Sequence, residues 1–182
     1  MTIHIISYSR TGTNDRLAAQ LAGQLSIEQH KIQEAAPSNY FKISLDMLLN
    51  RYPKIITPAV SLNTDDPLIL VSPVWFGKIA FPMRTFLKEQ KGNINNYIFI
   101  SLSGGGDGPA SNPKLAGELT KRTGKKPLAV INKHIADFLP QDPKPTPQDI
   151  ENYTIIRQDY ETVSRDILNL LKPVLDTNLA KD

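Results

Sequence analysis

Short apolar runs rich in β-branched residues alternate along this chain with segments whose apolar residues recur at helical spacing. Such runs predict strands buried on both faces, because a strand covered on one face only would alternate apolar and polar residues. Strands that alternate with helices imply a parallel sheet covered by helices on both sides. The predicted strands are residues 3–8, 68–71, 97–102 and 128–131, with a shorter one at residues 31–34.

The helical segments fit between these strands. Leu17, Leu21 and Leu25 recur every fourth residue, which indicates an amphipathic helix. Pro82, Asn112-Pro113 and Thr146-Pro147 each suit the start of a helix. Helices are therefore predicted at residues 17–25, 40–51, 82–92 and 112–123, and a long final helix, whole or broken once, follows Thr146.

Composition narrows the class of protein. The chain has 182 residues, 40% of them hydrophobic and none of them cysteine, which excludes disulfides and thiolate chemistry. No apolar run is long enough to cross a membrane, and no leader pattern opens the sequence, so a cytoplasmic protein is expected. We find no repeat and no interdomain linker, which predicts one domain over residues 1–182. The three histidines lack metal-ligand spacing.

The net charge of +3 is modest. Its densest basic group is Lys121, Arg122, Lys125 and Lys126 around Gly124, a predicted helix end. Cations at a helix C-terminus complement its dipole, so a solvated helix end is the simpler interpretation, and a docking patch for an acidic partner is the alternative. No broad basic stripe with interleaved aromatic residues is present, so nucleic-acid binding is not expected.

Ligands of open parallel sheets bind beyond the carboxyl ends of the strands, at the switch point in strand order. The first loop to leave such an end, residues 9–14, sets hydroxyls and a glycine directly before a helix. Helix N-termini offer free N–H groups and partial positive charge, so this loop is typical of a phosphate cradle, or of a plain cap and tight turn. The proposed cradle consists of Ser9, Arg10, Thr11, Gly12, Thr13 and Asn14.

Two further loops leave strand ends. Residues 72–78 include Trp75, the only tryptophan, with Phe76 beside it, and an aromatic at this place can stack on a planar ligand or fold back over the sheet edge. Residues 103–108 are rich in glycine, which lets backbone follow a flat ring or makes a flexible linker. The candidate ligand residues here are Pro73, Val74, Trp75, Phe76, Gly77, Ser103, Gly104, Gly105, Gly106 and Gly108.

Taken together, the three loops resemble those of the flavodoxin family. Residues 9–14 look like its FMN phosphate loop, residues 72–77 followed by 82–87 are similar to its second flavin loop and next helix, and Ser103-Gly104-Gly105-Gly106 resembles its third. The resemblance covers about residues 1–130. It implies a doubly wound, three-layer α/β/α fold with five parallel strands in the order 2-1-3-4-5, and FMN at the switch point.

The sequence departs from that family in three ways. Thr13 precedes Asn14, where the family pattern has Asn before Thr, and the third loop has no aromatic to cover the second flavin face. The chain is also basic, whereas electron-carrier flavodoxins are commonly acidic.

Three functions follow from the resemblance. The first is an electron-transfer protein that works with a redox partner protein or a small-molecule electron acceptor. The second is an NAD(P)H-dependent FMN oxidoreductase of the quinone type. The third is a flavin-free binding or scaffold domain that has kept the fold, which fold alone does not exclude.

Overall fold

The structure is a computed structural model that describes residues 2–36, 52–105 and 108–179. The helix predicted at residues 40–51 and the predicted site residue Gly106 lie outside the described residues.

Five parallel strands form the central sheet. The strands are β1 His4–Ser7, β2 Gln29–Lys31, β5 Leu68–Val71, β8 Tyr97–Ser103 and β9 Ala129–His134. Their spatial order is β2-β1-β5-β8-β9, which in order along the chain is the predicted 2-1-3-4-5. This is the flavodoxin-like order of a doubly wound sheet, and the order reverses between β1 and β5.

Helices cover both faces of the sheet. The helices are α1 Thr13–Leu25, α2 Phe81–Glu89, α3 Asn112–Thr123, α4 Pro147–Asn152 and α5 Arg157–Leu179. Side chains of alternate strand residues point to opposite faces, so Ile5 and Ile69 pack with α1 and α5, whereas Ile6 and Leu70 pack with α2 and α3. These two apolar clusters make the predicted three layers.

The second strand differs from its prediction. It starts at Gln29 rather than Lys31, and residues Gln33–Glu34 (β3) leave the main sheet to pair antiparallel with Ile55–Ile56 (β4). The reason lies in the edge position of β2, where Gln29 donates to Ser7 Oγ across the strand pair and only Ile32 is buried. A polar edge strand carries no apolar run that could mark it in the sequence.

A tight hairpin is a further difference from the prediction. Val74–Trp75 (β6) pairs antiparallel with Lys78–Ile79 (β7) directly after β5, inside the segment for which the sequence predicts a loop. The final helix is broken once, between α4 and α5. Among the described residues, no helix is long and apolar enough to cross a membrane.

Candidate functional site

A cavity of about 430 Å³ opens at the carboxyl edge of the sheet, between the loops that follow β1, β5 and β8. We call it the loop cavity. Its lining is mostly apolar with a few polar groups at one end, the usual character of a small-molecule site. It is lined by Ser9, Arg10, Thr11, Thr13, Asn14, Pro73, Val74, Trp75, Phe76, Leu102, Ser103, Gly104, Gly105 and Ile135.

The polar end of the cavity is the N-terminus of α1. Gly12 is the N-cap residue with φ +87°, a left-handed conformation that glycine adopts without strain. No side chain caps this helix, although Ser9 Oγ accepts a hydrogen bond of 3.1 Å from the Asn14 N–H. The Thr11 and Thr13 hydroxyls lie 3.3 Å apart at the same end. Hydroxyls and helix N–H groups thus converge where Arg10 also lines the wall.

Asn14 is fixed by the sheet. Its Nδ2 donates to the Leu102 carbonyl at 2.8 Å, and its Oδ1 accepts from the Leu102 N–H at 3.0 Å. The ladder of β5 on β8 ends where Ser72 N–H donates to the Ile100 carbonyl, two residues before Leu102. The Asn14 amide therefore takes the place of the next β5 residue, and only 2% of Asn14 is exposed.

Asp15, the first acid of α1, is turned away from the cavity. Its Oδ1 accepts a hydrogen bond of 2.8 Å from Ser7 Oγ, and Gln29 Nε2 donates to the Asp15 carbonyl. The Asp15 carboxylate is therefore held against β1, and Asp15 is not among the residues that line the cavity.

The aromatic end of the cavity is the tight β6–β7 hairpin. Its two turn residues, Phe76 and Gly77, both have positive φ, +51° and +70°. Positive φ at both central residues is what a type I′ turn requires, and asparagine rather than phenylalanine is the usual first residue. This turn holds Phe76 out of the core with 76% of its surface exposed.

Trp75 lies deeper than Phe76 and is held from two sides. Its ring makes edge contacts with Tyr8 and Phe81, at centroid distances of 5.9 and 6.4 Å. Tyr8 in turn donates a hydrogen bond to Glu34, and burial together with this carboxylate raises the pKa of Tyr8 above its ordinary value. Trp75 thus lines the cavity and packs on neutral Tyr8, so its position is compatible with both roles that the sequence left open, stacking on a planar ligand and folding back over the sheet edge.

Two glycines of the third loop line the cavity, and they differ in their surroundings. A Cβ on Gly104 would lie 3.2 Å from Ile150 Cγ2, whereas a Cβ on Gly105 would meet nothing within 4 Å. Close packing therefore explains why residue 104 is glycine, but it does not explain the glycine at residue 105.

Three predicted residues do not line the cavity. Gly12 sits behind it as the α1 cap, and Gly77 faces a second cleft described below. Gly108 begins a 3₁₀ helix at Gly108–Ser111, where its carbonyl accepts from Asn132 Nδ2 at 2.8 Å.

Sequence reasoning missed two residues of the lining, Leu102 and Ile135. Ile135 follows β9, and the carboxyl end of β9 lies at the same edge as the ends of β1, β5 and β8. Because ligands of parallel sheets bind at the carboxyl ends of the strands, the position of Ile135 directly after β9 could have identified it as a lining residue. Ile135, Gly104 and Gly105 also form the wall shared with an adjoining cavity of about 620 Å³, which is further lined by His134, Pro147, Ile150, Glu151 and Tyr153.

Comparison with solved structures supports the same fold. A flavoprotein from Lactobacillus acidophilus NCFM, crystallised in complex with FMN, is 20% identical and aligns over 71% of this chain and 91% of its own, with a TM-score of 0.61. A putative flavoprotein from Bacteroides eggerthii is 18% identical over 82% of this chain and 93% of its own, with a TM-score of 0.54.

A putative flavoprotein from Bacteroides uniformis is 14% identical over 71% of this chain and 88% of its own, with a TM-score of 0.57. No protein-family model and no curated protein matches the sequence. At these identities, the likeness establishes the fold, and any function must be argued from the site.

Proposed function

We propose that this chain, which has the flavodoxin-like fold, binds FMN in the loop cavity and serves as an electron-transfer protein. The observation that carries the proposal is the polarity of the cavity: a helix N-terminus with hydroxyls at one end, and an aromatic hairpin facing a glycine loop at the other. A phosphate monoester attached to a flat ring system has the same polarity, with a charged group at one end and an aromatic ring at the other.

The phosphate would lie at the α1 N-terminus. Ser9, Thr11 and Thr13 would donate hydroxyl hydrogen bonds there, and the helix dipole would favour the negative charge. The Asn14 N–H, which now donates to Ser9 Oγ, would be available when that hydroxyl turns to the phosphate. The Asn14 side chain would keep the first loop against β8 rather than bind the ligand.

The ring would lie between the aromatic hairpin and the third loop. Trp75 and Phe76 offer faces for stacking, and Gly104 and Gly105 allow backbone to approach a flat surface closely. FMN supplies the electron-accepting and electron-donating group, while the protein supplies binding, orientation and exclusion of water.

An NAD(P)H-dependent FMN oxidoreductase is the second candidate, and one observation favours it. The 620 Å³ cavity adjoins the loop cavity through Gly104, Gly105 and Ile135, so a second small molecule would reach the bound ring from that side. No aromatic side chain comes from Ser103–Gly105 to cover it. We favour the carrier, because no predicted loop residue forms an evident clamp for the phosphates of a nicotinamide nucleotide.

The phosphate cradle is tested by titrating the protein with FMN and with riboflavin and following flavin fluorescence, which stacking should quench. Riboflavin should bind at least about tenfold more weakly, because one charge-assisted phosphate interaction contributes about 1.5–3 kcal/mol. The double variant Thr11→Val, Thr13→Val should lose affinity for FMN and keep its affinity for riboflavin.

Thr154→Val, at an exposed threonine outside the site, is the matched control and should leave both affinities unchanged. Equal affinity for FMN and riboflavin would refute the cradle. A folded protein that binds neither flavin would instead support the flavin-free scaffold.

A further inference from the structure

We propose that a basic cleft between α2 and α3, beside the aromatic hairpin, is the docking face for an acidic partner protein. The cleft has a volume of about 560 Å³, and its lining contains seven basic side chains and one carboxylate among the residues that the structure describes. The net positive charge of these lining side chains exceeds the net charge of +3 of the whole chain. The basic cleft is lined by Tyr52, Gly77, Lys78, Arg84, Lys88, Lys91, Lys114, Gly117, Glu118, Lys121 and Arg122.

The floor of the basic cleft is a largely buried ionic network. Glu118 accepts from Arg122 at 2.8 and 2.9 Å, lies 3.0 Å from Arg84 Nε, and accepts from the Ile79 N–H at 3.1 Å. Arg84 is 3% exposed and its guanidinium also lies over the Phe81 ring. Among the described residues of the lining, Glu118 is the only carboxylate, and it is already shared by two guanidinium groups.

The rim consists of five lysines: Lys78, Lys88, Lys91, Lys114 and Lys121. All are exposed, and within the described part of the chain none of them forms an ion pair with a carboxylate. Lys88 lies over the Tyr52 ring at 4.5 Å. Charge density of one sign on an open groove draws an oppositely charged surface and speeds its encounter.

Position favours a protein as the occupant. The β6–β7 hairpin belongs to both sites, because Trp75 and Phe76 line the loop cavity while Gly77 and Lys78 line the basic cleft. Phe76, 76% exposed at the tip, is the kind of aromatic that anchors an interface. Long, exposed lysine side chains suit a broad acidic surface better than the fixed geometry of one phosphate.

The identity of the partner as a redox protein rests on the proposed function, but the charge of its surface does not. A partner docked on the basic cleft would lie against the hairpin that lines the loop cavity. Electrons could then pass over a short distance at that edge.

The first test measures binding of a fluorescein-labelled peptide of ten alternating Asp and Glu residues to the full chain, by anisotropy at low salt. The cleft variant Lys78→Gln, Lys114→Gln, Lys121→Gln should bind about tenfold more weakly and show a shallower salt dependence. The control variant Lys31→Gln, Lys144→Gln, Lys172→Gln removes the same charge at exposed lysines outside the cleft and should stay within about twofold of the wild type.

Equal losses in both variants would show that only net charge matters and would overturn the proposal. The proposal would also be overturned if ADP or pyrophosphate bound through the same three lysines and the peptide did not bind, because the cleft would then be a small-molecule phosphate site. The peptide assay needs no flavin, so it separates the fate of the basic cleft from that of the FMN proposal.

A second test uses the FMN-loaded, reduced protein and two one-electron oxidants of opposite charge. Oxidation by anionic ferricyanide should slow at least threefold in the cleft variant, whereas oxidation by cationic hexaammineruthenium(III) should not slow. Identical ferricyanide rates in the cleft and control variants would refute docking beside the flavin.

Discussion

Asn14 shows how one side chain can extend a sheet. Its amide bonds both backbone groups of Leu102 at the point where β5 has ended, so the first loop and β8 are joined without another strand. Thr13 is left at the start of α1, where it lines the loop cavity. The order Thr-Asn, which departs from the family pattern, therefore places a threonine at the cavity and an amide in the sheet.

Asn14→Ala should be strongly destabilising. The variant leaves a buried N–H and a buried carbonyl of Leu102 without partners, which costs about 2–4 kcal/mol in the free energy of unfolding. Urea denaturation of the apo-protein measures this loss, and Thr11→Ala, at an exposed hydroxyl, should change stability by less than about 0.5 kcal/mol. Similar stability of the two variants would contradict the role given to Asn14.

Phe76 combines two unfavourable features, a left-handed backbone and an exposed aromatic ring. Strain of this kind persists at sites where the residue serves binding. Phe76→Gly should raise the stability of the apo-protein by up to about 1 kcal/mol, because glycine relieves the positive φ and little burial is lost. The same variant should weaken FMN binding, which isothermal titration would measure.

Trp75→Ala is the matched comparison for Phe76→Gly. Trp75 is half-buried against Tyr8 and Phe81, so its removal should lower both stability and FMN affinity. An unstable Phe76→Gly variant with unchanged FMN affinity would contradict the stacking role of Phe76.

At the scale of elements, the sequence was informative where burial was complete. β5 was predicted over residues 68–71 and observed there, because all four of its residues are buried and form an unbroken apolar run. The start and end of α3 were predicted from Asn112-Pro113 and Gly124, and the structure places Ser111 rather than Asn112 at the N-cap. Local chemistry at helix ends is visible in sequence to within about a residue.

Elements that depend on tertiary context were not predicted. The β6–β7 hairpin needs phenylalanine at positive φ, which no turn preference would suggest. Ile135 reaches the loop cavity from a 3₁₀ helix (Ile135–Phe138) in a segment with no recognisable pattern. The three loops of the site could be foreseen because parallel strands bring their ends together, but the orientation of Asn14 could not.

A group of polar contacts around Asp66 joins the entry to β1 with the entry to β5. Asp66, 5% exposed, accepts hydrogen bonds from the Thr2 N–H at 2.9 Å and from Asn63 Nδ2 at 2.9 Å, and it lies 3.6 Å from His4 Nε2. The Thr2 N–H is the main reason that the pKa of Asp66 lies below its usual value, although burial opposes the shift.

A lowered pKa in the folded state stabilises the fold at pH values above the unfolded pKa, about 4, and this contribution is lost as pH falls through the folded value. Asp66→Asn should therefore lower the free energy of unfolding at pH 7, by about 1–3 kcal/mol. The difference from wild type should shrink as the pH falls below about 4. Urea denaturation at pH 7, 5 and 3 would show it, and a difference independent of pH would contradict the ionic role of Asp66.

At the scale of the whole molecule, charge and cavities distinguish three regions of the surface. The basic cleft lies on the α2–α3 face, the loop cavity lies at the carboxyl edge of the sheet, and the 620 Å³ cavity adjoins it on the side of α4. The β6–β7 hairpin separates the first two, and Gly104 and Gly105 separate the last two. An electron carrier would use the first pair of sites, whereas an oxidoreductase would use the second.

These two uses can be separated by a single anaerobic experiment on the FMN-loaded protein. If it is a carrier, NADPH or NADH alone should bleach the flavin absorbance slowly or not at all, and a flavodoxin reductase supplied with NADPH should bleach it rapidly. If it is an oxidoreductase, the nicotinamide nucleotide would enter the cavity beside Gly105, and bleaching would be fast without a partner. Glu151→Trp places a large ring at the exposed wall of that cavity and leaves the loop cavity lining unchanged. Fast bleaching in the wild type that slows in Glu151→Trp would overturn the carrier proposal, whereas slow bleaching in both, with equal rates once the reductase is added, is the result that we expect.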